Sequence, residues 1–278
     1  MSEKEDILII EAGGSEAHYW RDIWRYRELF YFLSWRDILV RYKQTVIGVA
    51  WSVLRPLITM VIFTLVFGKL AKLPSDGGVA YPIMVFAAML PWQFFANALT
   101  GSSESVVGNS SMISKVYFPR MIIPASAVIV SLVDFLISFA LLFALMAWYQ
   151  FMPGWQILAV PLFLIMAGFA SLGAGLWLSA LNVQYRDFRH VVPFIVQLGL
   201  YISPVGFSSS IIPADWRLLY SLNPMVGVID GFRWAILGGN GASLYMPGIW
   251  ISLAIIFIVF ISGIWYFRKM EKTFADVI

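Results

Sequence analysis

The sequence contains no cysteine. That excludes disulfides and thiolate metal sites, and leaves the redox compartment open. Its two histidines, His18 and His190, stand far apart, so a histidine metal centre is not expected. Charge is scarce: Asp, Glu, Lys and Arg make up 13% of residues, against about a quarter in soluble domains. The Gly-x-x-x-x-Gly-Lys phosphate loop is absent, and Gly173-x-Gly175 reads as small-residue packing. No nucleophile, base and orienter set can be assembled, so no residue is assigned a catalytic or metal-binding role. The formal net charge is only +3, and no nucleic-acid partner is expected. A signal peptide is missing as well. Residues 1–19 carry Glu3, Glu5, Asp6, Glu11 and Glu16 around the short run Ile7 to Ile10, where a signal needs a basic start and a longer apolar core. The first spanning helix is therefore expected to be the uncleaved insertion signal.

What the sequence has in excess is apolar surface: 60% of its 278 residues are hydrophobic and 17% are aromatic. One soluble core cannot hide that much, so lipid is the natural solvent. The pattern predicts an all-α integral membrane protein with six spans, at about 47–68, 82–100, 121–150, 156–181, 191–207 and 248–267. The fifth is short and broken by Pro193, Pro204 and Gly206. Lys and Arg set the orientation. With the N-terminus inside, fourteen of the nineteen fall in the tail (Lys4, Arg21, Arg25, Arg27, Arg36, Arg41, Lys43), the inner loops (Lys115, Arg120, Arg186, Arg189) and the C-terminus (Arg268, Lys269, Lys272). Only Lys69, Lys72, Arg217 and Arg233 fall outside, so both ends are expected in the cytoplasm. Three units result: a cytoplasmic tail over 1–18, an amphipathic interface helix over 19–45, and a transmembrane domain over 46–278. Within that domain, 208–247 is rich in Ile, Leu, Trp and Phe but interrupted by Pro and Gly. It suits short re-entrant helices in the outer leaflet, or else a folded external loop.

On a helix over 20–43, Trp20, Trp24, Tyr31, Trp35, Ile38 and Tyr42 share one face, beside Arg21, Arg25, Glu28, Arg36 and Lys43. Such a helix lies in the membrane interface or packs on another protein. Inside the first span, Ser52, Arg55, Thr59 and Phe63 form a polar stripe ending in an aromatic. Arg55 there either serves a conduit or snorkels and pairs structurally. Asp134, in the third span, is the only acid near a bilayer centre, and a structural partner such as Arg55 is expected for it. Phe194, Gln197, Tyr201, Pro204 and Ser208 recur along the fifth span, suiting sliding contact with sugar rings or ordinary helix packing. Trp92, Phe94 and Phe95 follow Pro91 in the second span, whereas Trp148, Tyr149, Phe151, Trp155, Trp250 and Trp265 read as an interfacial belt. Two inner loops, 110–120 and 182–190, combine basic residues with exposed aromatics, which makes them protein anchors or plain topology signals.

Five motifs, in order, resemble the permeases of polysaccharide ABC exporters of the type-2 family. They are Arg41-Tyr42-Lys43-Gln44-Thr45-Val46-Ile47-Gly48-Val49-Ala50-Trp51 with Leu54-Arg55-Pro56; Leu90-Pro91-Trp92-Gln93-Phe94-Phe95; Lys115-Val116-Tyr117-Phe118-Pro119-Arg120; Leu181-Asn182-Val183-Gln184-Tyr185-Arg186-Asp187; and Ser221-Leu222-Asn223-Pro224-Met225. Each is weak alone, but as an ordered set over about 36–270 they are specific. The resemblance implies a homodimer paired with two copies of a separate nucleotide-binding ATPase. ATP and Mg would belong to that partner, and no cofactor to this chain. It implies export of a lipid-linked polymer, on an undecaprenyl-type carrier, across the bacterial inner membrane, with O-antigen foremost and teichoic acid or capsule as alternatives. It further implies that Lys115 to Arg120 dock on the ATPase, that short helices line the outer mouth, and that Phe63 holds an aromatic conduit position.

The reading that follows is specific. Arg55, Thr59, Phe63, Gln197 and Tyr201 line the conduit. Lys115, Tyr117, Phe118, Arg120, Tyr185, Arg186, Asp187 and Arg189 couple to the ATPase. Arg21, Arg25 and Arg36 attract the anionic lipid carrier at the membrane surface. The rivals are a permease for small lipids or drugs, which shares the fold but not these motifs, and a membrane-embedded glycosyl or acyl transferase, which needs clustered acids or histidines that this chain lacks.

Overall fold

The computed structural model describes residues 16–43, 46–238 and 244–274, with side chains over 19–42, 53–238 and 244–274. Most of the expected tail, residues 44–45 of the first motif and residues 239–243 of the re-entrant segment lie outside the described residues. Among those described, the elements are all helical. The interface unit is α1 (Glu16–Arg25) and α2 (Arg27–Lys43). Their ladder continues through Tyr26, which donates to Asp22 O at 2.9 Å while Phe30 N donates to Tyr26 O at 3.1 Å. The spans are α3 (Val46–Phe63) with a π-helical extension (Thr64–Leu70), α4 (Tyr81–Gly108), α6 (Ile122–Trp148), α7 (Val160–Gln184), α8 (Phe188–Ile202) and α11 (Met246–Glu271). A single turn, α5 (Ser110–Ile113), precedes α6, and α9 (Ala214–Tyr220) and α10 (Pro224–Leu237) precede α11.

Five of these spans are long and apolar enough to cross a membrane. The sixth, α8, has 15 residues, so it rises about 22 Å against a hydrocarbon core of about 30 Å. The expected fifth span therefore stops as a helix at Ile202, short of its expected end at 207, and the chain continues as irregular backbone.

The centre of the bundle is α4. From Tyr81 to Ser103 it carries no charge, and Ile83 to Leu90 are buried without interruption. A helix apolar on every side must be enclosed by protein. α6, α7 and α10 enclose it, and its aromatics join theirs: Phe94 packs on Phe135 at 6.0 Å, and Phe135 on Phe232 at 5.8 Å. Of the motif aromatics after Pro91, Trp92 and Phe94 are thus core residues, 5% and 4% exposed. The helix also runs two turns past its expected end, because Ser102 and Ser103 are buried and satisfied by Pro124 O and Thr100 O.

α7 and α11 cross in close contact. A Cβ on Gly263 would fall 2.3 Å from Gly173 O, and one on Gly173 would fall 2.6 Å from the Phe260 Cα. Around this crossing Trp177 stacks on Tyr266 at 4.0 Å and donates to Ser262 Oγ at 3.1 Å, while Phe169 meets Phe260 edge-on at 4.8 Å. Small residues that admit close backbones are how helices associate where lipid removes the hydrophobic incentive.

The re-entrant expectation for 208–247 resolves into two helices of opposite character. Asn223 caps α10 by accepting from Met225 N at 3.1 Å, and Pro224 occupies the first turn. α10 is then buried nearly throughout, packed on α4, α7 and α11. α9 instead leaves Trp216, Leu218 and Leu219 exposed, as does Leu222 after it. An apolar cluster of this kind marks a surface that meets lipid or protein.

Replacing Gly263 by Val should separate α7 from α11. We expect a loss of about 1–3 kcal/mol or more, from overpacking against backbone, read as a lower thermal midpoint of the detergent-purified protein. Phe257→Ala, on an exposed part of α11, should leave that midpoint nearly unchanged.

Candidate conduit wall and coupling surface

The two stripes read from the sequence meet. Phe63, at the end of α3, lies 6.5 Å from the Tyr201 ring on α8. It does so as a packed residue, 7% exposed, wedged edge-on against Phe67 at 5.4 Å. The stripe as read stops at Phe63; Phe67, four residues on and inside the π-helical segment Thr64–Leu70, extends it. The fit requires Gly206: a Cβ there would fall 2.6 Å from the Phe67 ring and 3.2 Å from Phe63. Tyr201 covers this nest and is itself 58% exposed, in line with exposed Gln197 and Phe194. On α3, the Thr59 hydroxyl donates to Arg55 O at 2.9 Å, and Arg55 is exposed with no ion pair or hydrogen bond from its guanidinium among the described residues.

Beyond Ile202 the backbone is irregular, and Ser203 to Gly206 are buried. Its carbonyls take their partners from three other elements. Ile202 O accepts from the Tyr220 hydroxyl at 2.8 Å, and Gly206 O from the Tyr81 hydroxyl at 2.6 Å. Pro204 O and Phe207 O both accept from Nη2 of Arg233, at 2.5 and 3.1 Å. Arg233 is 2% exposed and pairs with Asp76 at 3.3 Å, with Asp230 further off at 3.9 Å. Ser208 Oγ donates to Asp76 at 2.5 Å. Burial raises the Asp230 carboxyl above its ordinary range, opposed by Arg233 and the Ser209 hydroxyl. Arg233 is thus no loop charge facing outside water, as its position in the positive-residue pattern implied.

Asp134 does not pair with Arg55. It accepts a short hydrogen bond from the Tyr42 hydroxyl and a salt bridge from Arg41 at 2.9 Å, both at the end of α2. The sequence reading looked for a partner within the spans. The interface helix instead packs its end against α6, and that brings its own cation to the acid.

That helix has two apolar sides. Most of the predicted one faces out, with Trp24 at 73% exposure and Trp20, Tyr31 and Trp35 exposed beside it, whereas Ile38 is half-buried and Tyr42 turns inward to Asp134. The other was not predicted: Tyr19, Ile23, Tyr26, Phe30 and Leu33 pack on the ends of α4, α6, α7 and α11. Arg21 and Arg25 are exposed. Arg36 is not available in the same way, since it is held by Asp37 at 2.7 Å and by Asn109 at 3.0 Å.

The predicted coupling residues divide likewise. Lys115, Val116 and Tyr117 protrude, as do Tyr185, Arg186, Asp187 and Arg189. Phe118 is 3% exposed and sits in the core at this end. Arg120 is clasped to the end of α11: its backbone N–H donates to Glu271 Oε1 at 2.8 Å, its guanidinium donates to Glu271 O, and Phe274 lies under it at 6.0 Å. Tyr19 of α1 joins the cluster, with Arg268 over its ring at 4.2 Å. Burial, then the neighbouring Glu271, pushes the Tyr19 hydroxyl above its usual range.

An enclosed apolar bundle with a broken span, an interface helix and two protruding loops at one end defines a multi-pass membrane protein. It belongs to the ABC-2 type transporter family, which it matches over residues 28–237. It is 29% identical over 254 residues to an O-antigen export system permease protein RfbA of Klebsiella pneumoniae, covering 90% of this chain and 95% of that one. A namesake from Myxococcus xanthus is 27% identical over 217 residues, covering 77% and 82%. The polysialic acid transport protein KpsM of Escherichia coli is 22% identical over 226 residues, covering 75% and 82%.

Arg41→Met should leave Asp134 short of its cation and loosen α2 from α6, at about 1–3 kcal/mol because Arg41 is half in solvent. Asp134→Asn in that background should cost less than the two single changes added. Thermal midpoints of the four proteins, with proteolysis near residue 44 as a second readout, test the coupling.

Proposed function

We propose that the chain is the permease subunit of an ATP-driven exporter that moves lipid-linked polysaccharide, with O-antigen as its polymer, across the bacterial inner membrane. The observation that carries this is the match along 90% of the chain to a protein named for O-antigen export. In this reading two copies form the conduit and a separate ATPase supplies the energy, with ATP and Mg bound there. The chain itself catalyses no bond chemistry. Its basic end, with both termini, faces the cytoplasm, as Lys and Arg asymmetry favours.

The stripe of Phe194, Gln197 and Tyr201 suits the task. A polymer must slide, and exposed rings accept a sugar face at many positions without holding it. Phe63 acts from beneath, as the support that sets the Tyr201 ring. Thr59 and Arg55 continue the wall toward the basic end, where an unpaired guanidinium suits a phosphate-linked carrier. Arg21 and Arg25 attract that carrier at the surface, and Arg36 orders the helix that bears them. On the coupling face, Lys115 and Tyr117 with Tyr185, Arg186, Asp187 and Arg189 touch the ATPase, while Phe118 and Arg120 transmit from behind. A capsule polymer is the second reading, and the likeness to a polysialic acid transporter is what favours it.

The test is complementation. Expressed with its own ATPase in cells lacking an O-antigen permease, the chain should restore polymer at the cell surface, scored by gel and antibody. No polymer at the surface, despite normal insertion and ATPase co-purification, would overturn the O-antigen assignment. Tyr201→Ala should lower surface polymer severalfold without lowering membrane abundance, and Leu198→Ala should change it little. Lys115→Glu with Arg186→Glu should abolish ATPase co-purification, whereas Arg120→Lys should preserve docking and reduce export.

A further inference from the structure

At the end of the molecule opposite the interface helix, a cavity of about 280 Å³ lies between the 75–77 turn, the 208–210 turn, α9 and α10. Its lining includes Asp76, Asp230, Arg217, Arg233, Trp234 and Tyr245. The Arg233 network already described accounts for one wall of it but leaves groups over. Nε of Arg233 is buried and has no hydrogen-bond acceptor among the described residues, although the side chain is 2% exposed. Trp234 and Tyr245 line the other side of the cavity. A buried donor with no acceptor costs about 1–3 kcal/mol, which marks this wall as polar beyond what its own pairs satisfy.

The charges decide what guest. Two carboxylates and two guanidiniums face one small space. An anion such as phosphate would meet Asp76 and Asp230, and a divalent cation would meet Arg217 and Arg233. A neutral polyol meets neither penalty, and can give hydroxyls to the carboxylates and accept from the indole N–H and from the Arg217 Nη1 that, among the described residues, Ser210 O and Ile212 O leave free. The volume lies at the lower edge of the roughly 300–1,000 Å³ of ligand pockets, which admits about one sugar ring and not a chain. Trp234 adds an indole of the kind sugars stack upon.

We propose that this cavity is a subsite for a single neutral sugar residue at the outer mouth, bound between α9 and α10. It rests on the polysaccharide reading for its biological source, but its chemistry is read from the cavity alone. A residue held there would brake the polymer as it leaves, so that each step outward exchanges one ring for the next.

The test uses the whole chain in phospholipid nanodiscs, because maltoside detergents carry the ligand themselves. Saturation-transfer NMR is run with methyl glycosides of neutral hexoses, and with inorganic phosphate and Ca²⁺ as competitors. Transfer to ring protons, with affinity on the order of 1–10 mM, is expected for at least one hexoside. Trp234→Leu should weaken it about fivefold or more. Tyr245→Phe, which leaves packing intact, should weaken it about twofold to fivefold. No transfer from any hexoside, transfer unchanged in both variants, or displacement by phosphate or Ca²⁺ at equal concentration would overturn the subsite. Surface polymer in the complementation strain is scored separately. Restored export with silent NMR sinks the subsite alone, and binding without export sinks the O-antigen reading alone.

Discussion

Backbone polar groups at membrane depth must find partners in the protein, since lipid offers none. In this fold that constraint bears hardest on the stretch after α8, where the helix ends before the crossing is complete. Arg233 is the answer to it. One buried guanidinium reaches two carbonyls of the stretch and the Asp76 carboxylate, and so binds α10 to the 75–77 turn and to the unwound end of α8. The tyrosines at 81 and 220 complete the set from two further elements. The outer architecture follows from this. α10 must be buried to bring Arg233 inward, and Gly206 must stay without a side chain to let Phe67 and Phe63 close beneath Tyr201.

The opposite end solves a different problem with the same means. α1 and α2 carry aromatics on two sides, one to protein and one outward. A helix so placed could drift in the interface plane, because apolar burial fixes depth more firmly than heading. Arg41 and Tyr42 fix its far end on Asp134, and Arg36 fixes its middle on Asn109. Each anchor consumes a charge that composition alone would assign to the membrane surface. Among the described residues this separates Arg21 and Arg25, which are exposed, from Arg36 and Arg41, which are held.

Much of the fold was legible because its signals are long. Six apolar runs survive into the structure, with shifts of a few residues except at the end of α4, and so does the break at Pro204 and Gly206, whereas α8 runs through Pro193, which was expected to break it too. The resemblance in five motifs added the family, which the match over 28–237 bears out. What stayed illegible were facts of a second dimension. Periodicity shows that Trp20 and Trp24 share a face, but not that Tyr19, Ile23 and Tyr26 share another against the bundle. Phe67 lay within its reach, four residues after Phe63, but spacing alone does not tell a ring packed on Gly206 from one facing lipid. Counting Lys and Arg by loop treats Arg233 as surface charge, although only burial among Asp76 and the carbonyls explains it. Pairing Asp134 with Arg55 failed for a related reason: the partner lies outside the spans, next to a helix whose docking no local pattern records.

The Arg120 clasp shows how a push on the protruding loop would travel. Lys115 to Tyr117 stand in the open, but the next three residues are held. Phe118 lies in the core, and Arg120 grips the last turn of α11 through both its backbone and its side chain. α11 in turn crosses α7 at glycines, with backbone against backbone and no flexible side chain to absorb a displacement. Packed interfaces of this kind move as bodies and do not stretch. A displacement at Lys115 therefore passes to α11 and α7 together. The same cluster includes Tyr19, so α1 moves with them. α8 has few ties to these helices and faces outward with Phe194, Gln197 and Tyr201 exposed. A push on the loop would therefore reach α8 through its contacts with α4 and α7 and, at its unwound end, through Arg233 on α10.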